Sequence, residues 1–352
     1  MRARTMTKPE LEGNSGALAV AIVGFGSAGT RALGVIRELR PDAHFLVVSR
    51  NATTAEGFRS TSSLDDVLAF EPDAVVVAGP ATTRVDVLRQ IGGLNVPLFI
   101  EKPLAHTLSD GLAAVDLLGP AAERSQLGYN LRFSESLTAF RDLVRGGRFG
   151  RVLRFSAETA QYLPDWRPGK DYRESVSARA ELGGGVLLEL SHELDYLRWI
   201  FGEWDWVSAW TGRTSALEID VEDTALVTIG IEGNPAATQL VGQLSLDFVR
   251  RDKTRIVTAV CEGGTIRWDG IAGTVEVFQA SQSRWESIMT DSGSQSTYEA
   301  QWVSFLSVVE EGSRPLVAIT DGVAVLRAVE AIRHSHEQSG GRVFLKTLEV
   351  GS

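Results

Sequence analysis

Cysteine is almost absent from this chain of 352 residues, which contains Cys261 and no other. A single cysteine excludes an internal disulfide and a zinc site built on several thiolates. Such low cysteine usage is typical of proteins from a reducing compartment, so the sequence predicts a cytoplasmic location.

Long apolar runs and an excess of basic residues are missing as well. No uncharged apolar run approaches the roughly 20 residues that cross a bilayer, so we expect no membrane association. The 35 Lys and Arg residues are outnumbered by 45 Asp and Glu residues, which gives a net charge of −10. A chain this acidic lacks the positive charge that phosphate backbones attract, so we expect no nucleic-acid partner. Residues 1–16 are charged and lack an apolar core, and we expect a disordered tail rather than a secretory signal.

The segment 17–127 alternates short apolar runs with helical patterns. The apolar runs have the length and composition of buried strands and cover 18–23, 45–48, 74–78 and 97–100. A helical pattern follows the first run and ends at Pro41, and shorter ones cover 64–68 and 85–91. This alternation predicts a parallel sheet with right-handed crossovers, a Rossmann fold.

The pattern of apolar and polar residues changes in the second half of the chain. Alternating apolar and polar residues predict antiparallel strands at 152–159, 225–231, 240–248, 255–261, 265–268 and 274–278. One helix is predicted at 186–200, and a last one, at 321–337, is expected to pack back on one of the domains. We therefore predict an α/β protein with a Rossmann domain at 17–127. At 128–352 we predict a C-terminal α+β domain built on an open, mainly antiparallel sheet.

A glycine pattern, G-x-G-x-x-G, occupies the turn between the first predicted strand and the first predicted helix. Its residues are Gly24, Phe25, Gly26, Ser27, Ala28 and Gly29. In this context the pattern indicates a dinucleotide site. The first glycine allows the tight turn, the second leaves room for the pyrophosphate and the third lets the helix approach the strand. The helix N-terminus adds unpaired N–H groups and the positive end of its dipole.

The choice between the two nicotinamide dinucleotides depends on the end of the second predicted strand. An acidic residue about 20 residues after the loop would bind the ribose 2′-hydroxyl of NAD. The stretch Ser49, Arg50, Asn51 holds no carboxylate at that position. A hydroxyl followed by a guanidinium suits a 2′-phosphate, so we predict NADP(H), with NAD(H) as the alternative.

Several motifs together resemble the Gfo/Idh/MocA oxidoreductase family, which includes glucose–fructose oxidoreductase and inositol dehydrogenases. They are the glycine loop, Glu101-Lys102-Pro103, and the segments 128–133, 149–152 and 183–195. The resemblance extends over about 17–345 and implies a Rossmann domain followed by a domain with a large open sheet. That sheet usually forms the subunit interface, so a homodimer or homotetramer is implied.

The segment 183–195 departs from the family pattern at one point. Many members carry an aspartate four residues before the histidine, where this chain has Leu188; its nearest acid is Glu189, three residues before His192. The spacing resembles a branch associated with surface-polysaccharide and nucleotide-sugar pathways, and it leaves the role of the acid and the substrate open.

Candidate catalytic groups lie in both halves of the chain. Lys102 ends a predicted parallel strand, where ligands of doubly wound folds bind, and its ammonium would stabilise a developing alkoxide. Glu189, His192 and Tyr196 share one face of a predicted helix, and histidine is the usual proton carrier near neutral pH. We predict that Lys102 and His192 handle the hydroxyl proton while Glu189 orients or polarises them.

The remaining site predictions concern cofactor and substrate contacts. Beyond the glycine loop and the end of the second strand, the predicted cofactor contacts are Gly79, Pro80, Glu101, Lys102 and Asn130. The predicted substrate contacts are Lys102, Tyr129, Tyr172, Arg173, His192 and Asp195. Asp195 has the alternative of a structural pair, for example with Arg198. The other histidines are scattered, so we expect no metal.

Three functions remain open at this point. The first is an NADP(H)-dependent oxidoreductase acting on a secondary hydroxyl or ketone of a sugar, nucleotide sugar or cyclitol. The second is a dinucleotide-binding regulator without catalysis, because a fold does not determine a function. The third is an NAD-dependent glycosidase, also known on this fold.

Overall fold

Two sheets of different character form the framework of the protein in the computed structural model. The structure describes residues 16–50, 57–232, 239–291 and 296–348. Asn51 and the predicted tail, apart from Gly16, therefore lie outside the described residues. The two sheets confirm the predicted fold class, a Rossmann sheet followed by a second, mainly antiparallel one.

The first sheet has six parallel strands in the order β3-β2-β1-β4-β5-β6. Their bounds are β1 Ala19–Val23, β2 His44–Val48, β3 Arg59–Thr61, β4 Ala74–Val77, β5 Leu98–Ile100 and β6 Gln126–Leu127. The order reverses between β1 and β4, which opens the crevice where ligands of doubly wound folds bind.

Four helices connect the strands of the first sheet. They are α1 Ser27–Leu39, α2 Asp65–Phe70, α3 Arg84–Ile91 and α4 Leu108–Leu118. In α1, Ala32, Leu33 and Ile36 recur at helical spacing and are buried in one core with strand residues of the sheet. The helix ends at Leu39, before Pro41, because proline disfavours helical backbone at the residue preceding it.

The second sheet has nine strands in the order β14-β13-β12-β11-β7-β10-β9-β8-β15. Their bounds are β7 Val152–Ala160, β8 Trp206–Gly212, β9 Thr224–Ile231, β10 Leu240–Asp247, β11 Thr254–Cys261, β12 Gly264–Asp269, β13 Thr274–Gln279, β14 Arg284–Thr290 and β15 Val343–Phe344. The pair β7–β10 is parallel, and the other neighbouring pairs are antiparallel.

Helices cover one face of the second sheet, and the other face is open. Alternate residues such as Phe155, Ala157 and Val257 are buried toward the helices α5 Glu135–Arg145, α6 Val186–Glu189 and α7 Ser191–Phe201. The intervening residues line an open groove of 520 Å³ that includes Glu158 and Leu226. The period of two thus directs one set of side chains to the helices and the other outward.

The helix predicted at 186–200 is two helices, and this corrects one sequence prediction. The backbone leaves the helical path at Leu190, with φ −95° and ψ 30°, so α6 ends before α7 begins. Glu189 therefore lies outside the helix that carries His192 and Tyr196, which are four residues apart on α7. Tyr196 is fully buried and packs edge-on against Trp268, with ring centroids 5.6 Å apart.

The chain returns to the first domain near its end. Helix α8, Thr297–Glu311, packs its Trp302 against Phe99 of β5, with ring centroids 4.1 Å apart. Helix α9, Ile319–Glu337, lies against both β8 and α4 and so contacts both domains. Within the described ranges, the helices are all too short or too polar to cross a lipid bilayer.

A buried ion-pair cluster joins the two domains. Arg132 follows β6 and donates to both oxygens of Asp195 on α7, at 2.6 and 2.9 Å. It also donates to Asp321 on α9, at 3.2 Å. Arg132 is 5% exposed and Asp195 1% exposed, so water screens this pair little. Its neighbouring carboxylates raise the pKa of Arg132, which keeps the guanidinium charged.

Candidate active site

The turn after β1 has the geometry of a phosphate-binding loop. Gly24 has φ +96°, and a Cβ there would lie 2.6 Å from the backbone nitrogen of Gly79. A Cβ at Gly29 would overlap the carbonyl oxygen of Gly24. At Gly26, by contrast, a Cβ would meet no atom within 4 Å. The first and third glycines are therefore required by packing, and the second opens onto free space.

Helix α1 begins directly at this open side. Gly26 is its N-cap and has no side chain to accept from the first-turn N–H groups. Ser27 is exposed, Ala28 is half-buried, and the ring of Phe25 packs on Phe58 with centroids 5.4 Å apart. Free N–H groups and an open backbone fit the pyrophosphate of a dinucleotide.

Two further predicted cofactor positions lie at the ends of β2 and β4. Ser49 is half-buried, and its N–H donates to Thr61 at 2.9 Å. Arg50 is exposed just beyond β2, and Gly79-Pro80 follows β4 beside the glycine turn. These positions surround the same strand ends as the glycine loop.

The end of β5 carries Glu101 and Lys102. The carboxylate of Glu101 lies 3.7 Å from the guanidinium of Arg31 on α1. The peptide bond from Lys102 to Pro103 is cis. The Lys102 ammonium donates to the backbone carbonyl of Glu189 at 2.9 Å. This hydrogen bond brings the strand end of the first domain against α6 of the second.

Glu189 contacts the site in two ways. Its carbonyl accepts from Lys102, and its carboxylate oxygen Oε2 accepts from the hydroxyl of Ser177 at 2.7 Å. Ser177 also lines a cavity of 380 Å³ together with Trp166 and Tyr172. Glu189 thus contacts both Lys102 and a residue that lines the cavity.

His192 lies in the first turn of α7 beside these groups. Its ring meets that of Tyr129 edge-on, with centroids 5.4 Å apart. Its Nδ1 atom is buried and has no hydrogen-bond partner among the described residues. Burial lowers the pKa of His192 well below 6.5, and the positive charges of Lys102 and Arg255 lower it further. The imidazole is therefore neutral at pH 7 and able to accept a proton.

Three residues that the sequence predicts as ligand contacts are buried in the structure. Asp195 forms the ion pair with Arg132, not with Arg198, and has almost no exposed surface for a substrate. Tyr129 is fully buried, and burial raises the pKa of its phenol. Asn130 is 7% exposed and donates to the hydroxyl of Thr297 at 2.6 Å. The last two support the floor of the site at the junction with α8.

The loop that contains Tyr172 and Arg173 borders the cavity of 380 Å³. The Tyr172 hydroxyl accepts from the backbone N–H of Glu218 at 3.2 Å. Arg173 is exposed and pairs with Asp171 at 2.7 Å and with Glu218 at 3.0 Å. Tyr172 therefore faces the cavity, whereas the charge of Arg173 is neutralised at the surface.

Sequence reasoning missed two residues of the site, Ser177 and Arg255. Ser177 holds the carboxylate of Glu189, and Arg255 on β11 pairs with Glu193 at 2.8 Å. Both contacts join residues whose proximity has no local signal in the sequence. In the described part of the chain, His, Cys, Asp and Glu side chains form no group of three that could hold a metal ion.

The fold and this site define a dinucleotide-binding oxidoreductase architecture. Residues 18–129 match the model "Oxidoreductase family, NAD-binding Rossmann fold", and residues 137–267 match "GFO/IDH/MocA C-terminal domain". The chain belongs to the GFO/IDH/MocA oxidoreductase family, as the sequence motifs predicted. The family is NAD-binding, which agrees with the open turn at Gly26.

Curated relatives match this chain over part of their length. The rhizopine catabolism protein MocA of Rhizobium meliloti is 26% identical over 59% of this chain and 60% of its own. An inositol 2-dehydrogenase of Leifsonia xyli subsp. xyli is 30% identical over 43% of this chain and 42% of its own. This chain thus spans 60% or less of the length of these relatives.

Solved structures match over nearly the whole chain. A levoglucosan dehydrogenase in complex with NADH has a TM-score of 0.80 at 18% identity, covering 94% of this chain and 99% of its own. The WlbA dehydrogenase of Bordetella pertussis, in complex with NADH and UDP-GlcNAcA, has a TM-score of 0.78 at 23% identity, covering 95% and 100%. At these identities the likeness establishes the fold.

The glycine turn generates a prediction with its own internal control. Gly29→Ala should lower the free energy of unfolding by about 1–3 kcal/mol, because its methyl group overlaps a carbonyl oxygen. Gly26→Ala should leave thermal stability unchanged but weaken NADH binding about tenfold or more, since its methyl group enters the space for the pyrophosphate. Thermal denaturation without cofactor and fluorescence titration with NADH measure the two effects. Undiminished NADH binding by Gly26→Ala would show that the pyrophosphate binds elsewhere.

The neutral state of His192 generates a prediction about pH. The unfolded chain takes up a proton at this residue near pH 6.5, whereas the folded chain does so only at lower pH. The stability that neutral His192 contributes is therefore fully present above pH 6.5 and decreases as the pH falls below it. His192→Asn should flatten the dependence of the unfolding free energy on pH below 6.5, as measured by urea denaturation. His44→Asn, an exposed histidine, is the control, and equal slopes for wild type and His192→Asn would contradict the prediction.

Proposed function

We propose that this protein is an NAD(P)-dependent oxidoreductase. It interconverts a secondary hydroxyl and a ketone on a sugar, nucleotide sugar or cyclitol. The observation that carries the proposal is the hydrogen bond from Lys102 to the Glu189 carbonyl. It brings an ammonium at the cofactor crevice against the helix pair that carries a neutral histidine.

The substrate class is supported by the names of similar proteins. Relatives include inositol 2-dehydrogenases and a 1,5-anhydro-D-fructose reductase, and the similar structures include a levoglucosan dehydrogenase. All of these names refer to polyhydroxylated rings. A substrate of this kind would fit the cavity next to Ser177, which has hydroxyl, carboxylate and aromatic groups in its lining.

Lys102 and His192 have different roles in the proposed reaction. When bound, a nicotinamide ring accepts or returns the hydride of the carbinol carbon. The Lys102 ammonium stabilises negative charge that develops on the substrate oxygen. His192, neutral at pH 7, accepts the hydroxyl proton during oxidation and returns it during reduction.

Glu189 acts as a positioning residue in this proposal. Its carbonyl holds the Lys102 ammonium, and its carboxylate is itself held by Ser177. Because both contacts come from the last residue of α6, a shift of this helix end would move the Lys102 ammonium. Tyr172, which lines the adjacent cavity, is the proposed contact for a substrate hydroxyl.

We also propose NADP(H) as the preferred cofactor and an oligomer formed through the open sheet face. Arg50 is exposed next to the end of β2, where the 2′-phosphate would lie. On the open face, Trp210 and Leu226 are cross-strand neighbours that are 43% and 50% exposed. A homodimer or homotetramer would cover these apolar side chains. Cytoplasmic location remains a prediction from cysteine usage.

Replacement of Lys102, which removes its ammonium group, tests the proposed function. Lys102→Ala should lower kcat for the oxidation of a sugar or cyclitol by about 100- to 10,000-fold, the usual effect of losing a proton-handling group. NADH binding, followed by fluorescence, should stay near that of wild type. Lys346→Ala, an exposed lysine paired with Asp205 far from the site, is the control and should keep full turnover.

The outcomes of this experiment separate the three functions. Equal turnover by wild type and Lys102→Ala would remove the proposed role of the lysine. Cofactor binding by wild type without turnover of any polyol or ketose would favour the regulator. Hydrolysis of a glycoside without net NADH formation would favour the glycosidase.

The cofactor preference is tested separately at the end of β2. Arg50→Asp replaces a cation by a carboxylate that accepts from a 2′-hydroxyl and repels a 2′-phosphate. The ratio of kcat/KM for NADP to that for NAD should fall about 100-fold or more. Arg89→Asp, on the exposed surface of α3, is the matched charge reversal and should leave the ratio unchanged. An unchanged ratio in Arg50→Asp would remove the basis for NADP(H).

A further inference from the structure

Arg255 lies on the face of the second sheet that the helices cover. It shares this face with Val257 and Ala259 of β11, whereas Ile256 and Thr258 line the open groove on the other side. Its side chain is 22% exposed, so it reaches a solvent-accessible space on the covered side. No function has been assigned to it above.

A buried carboxylate holds this arginine at one nitrogen. The Nε of Arg255 donates to Oε1 of Glu193 at 2.8 Å, and the hydroxyl of Thr159 donates to the same oxygen at 3.0 Å. Thr159 is the direct cross-strand partner of Arg255 in β7. Glu193 has no exposed surface, so its charge depends on these donors. The anchor therefore determines where the guanidinium lies.

This hydrogen bond leaves the two terminal nitrogens of the guanidinium, Nη1 and Nη2, which we call the fork, without an acceptor among the described residues. Among the residues that the structure describes, Glu193 alone accepts from Arg255, and it does so through Nε. The second oxygen of Glu193 is buried and receives no donor. A purely structural pair would be stronger with two parallel hydrogen bonds, because bidentate pairs satisfy both oxygens at once. The observed pair instead keeps both terminal nitrogens free.

The surrounding backbone leaves room for this arrangement. A Cβ at Gly270 would lie 2.9 Å from Cδ of Arg255, so the absence of a side chain there accommodates the arginine stem. The N–H of Gly270 donates to the Arg255 carbonyl at 2.7 Å, which holds the two segments together. The stem is thus confined while the fork remains accessible.

The residue that anchors the fork is adjacent to His192 in the chain. Glu193, which anchors it, directly follows His192 on α7, and the Arg255 charge contributes to the low pKa of that histidine. Burial lowers the pKa of Arg255, but the charge of Glu193 and, to a smaller extent, the phenol of Tyr298 outweigh it and raise that pKa. The guanidinium of Arg31 stacks 3.9 Å above the Tyr298 ring and leads back to Glu101 at 3.7 Å. These two contacts join Tyr298 on α8 to Glu101 at the end of β5.

We propose that Arg255 is a specificity-determining residue that binds an oxyanion on the substrate, either a carboxylate or a phosphate group. The inference rests on the proposed function and narrows it to acidic derivatives of sugars or cyclitols. The planar fork matches both oxyanions with two parallel hydrogen bonds, and it is already oriented before the ligand arrives. The neighbouring Lys102 adds a second positive charge that favours an anion.

Binding of three matched ligands to the NADH-loaded protein tests the inference. D-glucuronate, D-glucose 6-phosphate and D-glucose differ in the presence and kind of oxyanion, and titration calorimetry gives the Kd of each without turnover. Wild type should bind at least one acid about tenfold or more tightly than D-glucose. The acid that binds more tightly identifies carboxylate or phosphate as the ligand chemistry.

Three variants assign the preference to the fork. Arg255→Gln should abolish the preference for the acid and change the Kd of D-glucose less than about threefold. Arg255→Lys keeps the charge beside Glu193 and hence the fold, but it replaces the fork by a point charge and should lose most of the preference. Arg89→Gln, on the exposed surface of α3, should behave as wild type.

The remaining outcomes overturn the inference without touching the proposed function. Equal affinity of wild type for both acids and D-glucose shows that the fork binds no oxyanion. An equal loss of affinity for acid and neutral ligand in Arg255→Lys shows a structural role only. Turnover of neutral polyols with NAD(P) by wild type, together with equal affinity for the acids and D-glucose, leaves the oxidoreductase proposal intact and rejects the acidic substrate.

Discussion

The arrangement of the two domains depends on the buried guanidinium of Arg132. This residue follows the last strand of the parallel sheet and binds Asp195 on α7 and Asp321 on α9. Loss of one partner of a buried ion pair costs roughly 3–5 kcal/mol, because the other charge remains without water. Asp195 lies one helical turn after His192, so the same pair that joins the domains sets the position of the imidazole. The chemistry of the site is thus coupled to the packing of the junction.

Negatively and positively charged side chains near the carboxyl ends of the first sheet differ in how far the protein already pairs them. The carboxylates of Glu189 and Glu193 already accept hydrogen bonds from Ser177, Thr159 and Arg255. Among the described residues, the ammonium of Lys102 donates to a neutral carbonyl alone, and the imidazole of His192 is neutral at pH 7. The side chains that face the crevice are therefore poor in free negative charge, although the whole chain carries a net charge of −10. A local field of this kind favours an alkoxide and an anionic ligand over a cation.

Much of the fold was predictable because its signals are local. The apolar runs that became β1, β2, β4 and β5 are buried on both faces of a parallel sheet, and such strands need no partner to be recognised. The helix α8 was missed, since its apolar residues contact a domain that ended more than 150 residues earlier in the chain. The break at Leu190 was missed as well, because apolar periodicity continues across it. The strand β14 is exposed over most of its length, so it lacks the alternation that reveals a half-buried strand.

The sequence by itself determined the glycine turn, the positions of most strands of the first sheet along the chain and the residue types available for proton transfer, since these follow from backbone freedom and short-range periodicity. Only the tertiary structure decided which carboxylates already accept hydrogen bonds from the protein and which cationic side chains remain available to a ligand. In the sequence, Asp195 and Glu189 look equivalent, because each is a helical acid three residues from His192. In the structure, Asp195 is buried against Arg132, whereas Glu189 accepts from Ser177 through its carboxylate and from Lys102 through its carbonyl. Arg255 has no local signal at all, because its anchor lies 62 residues away. Hydrogen bonds between distant segments depend on how sheets and helices pack, which short-range patterns do not encode.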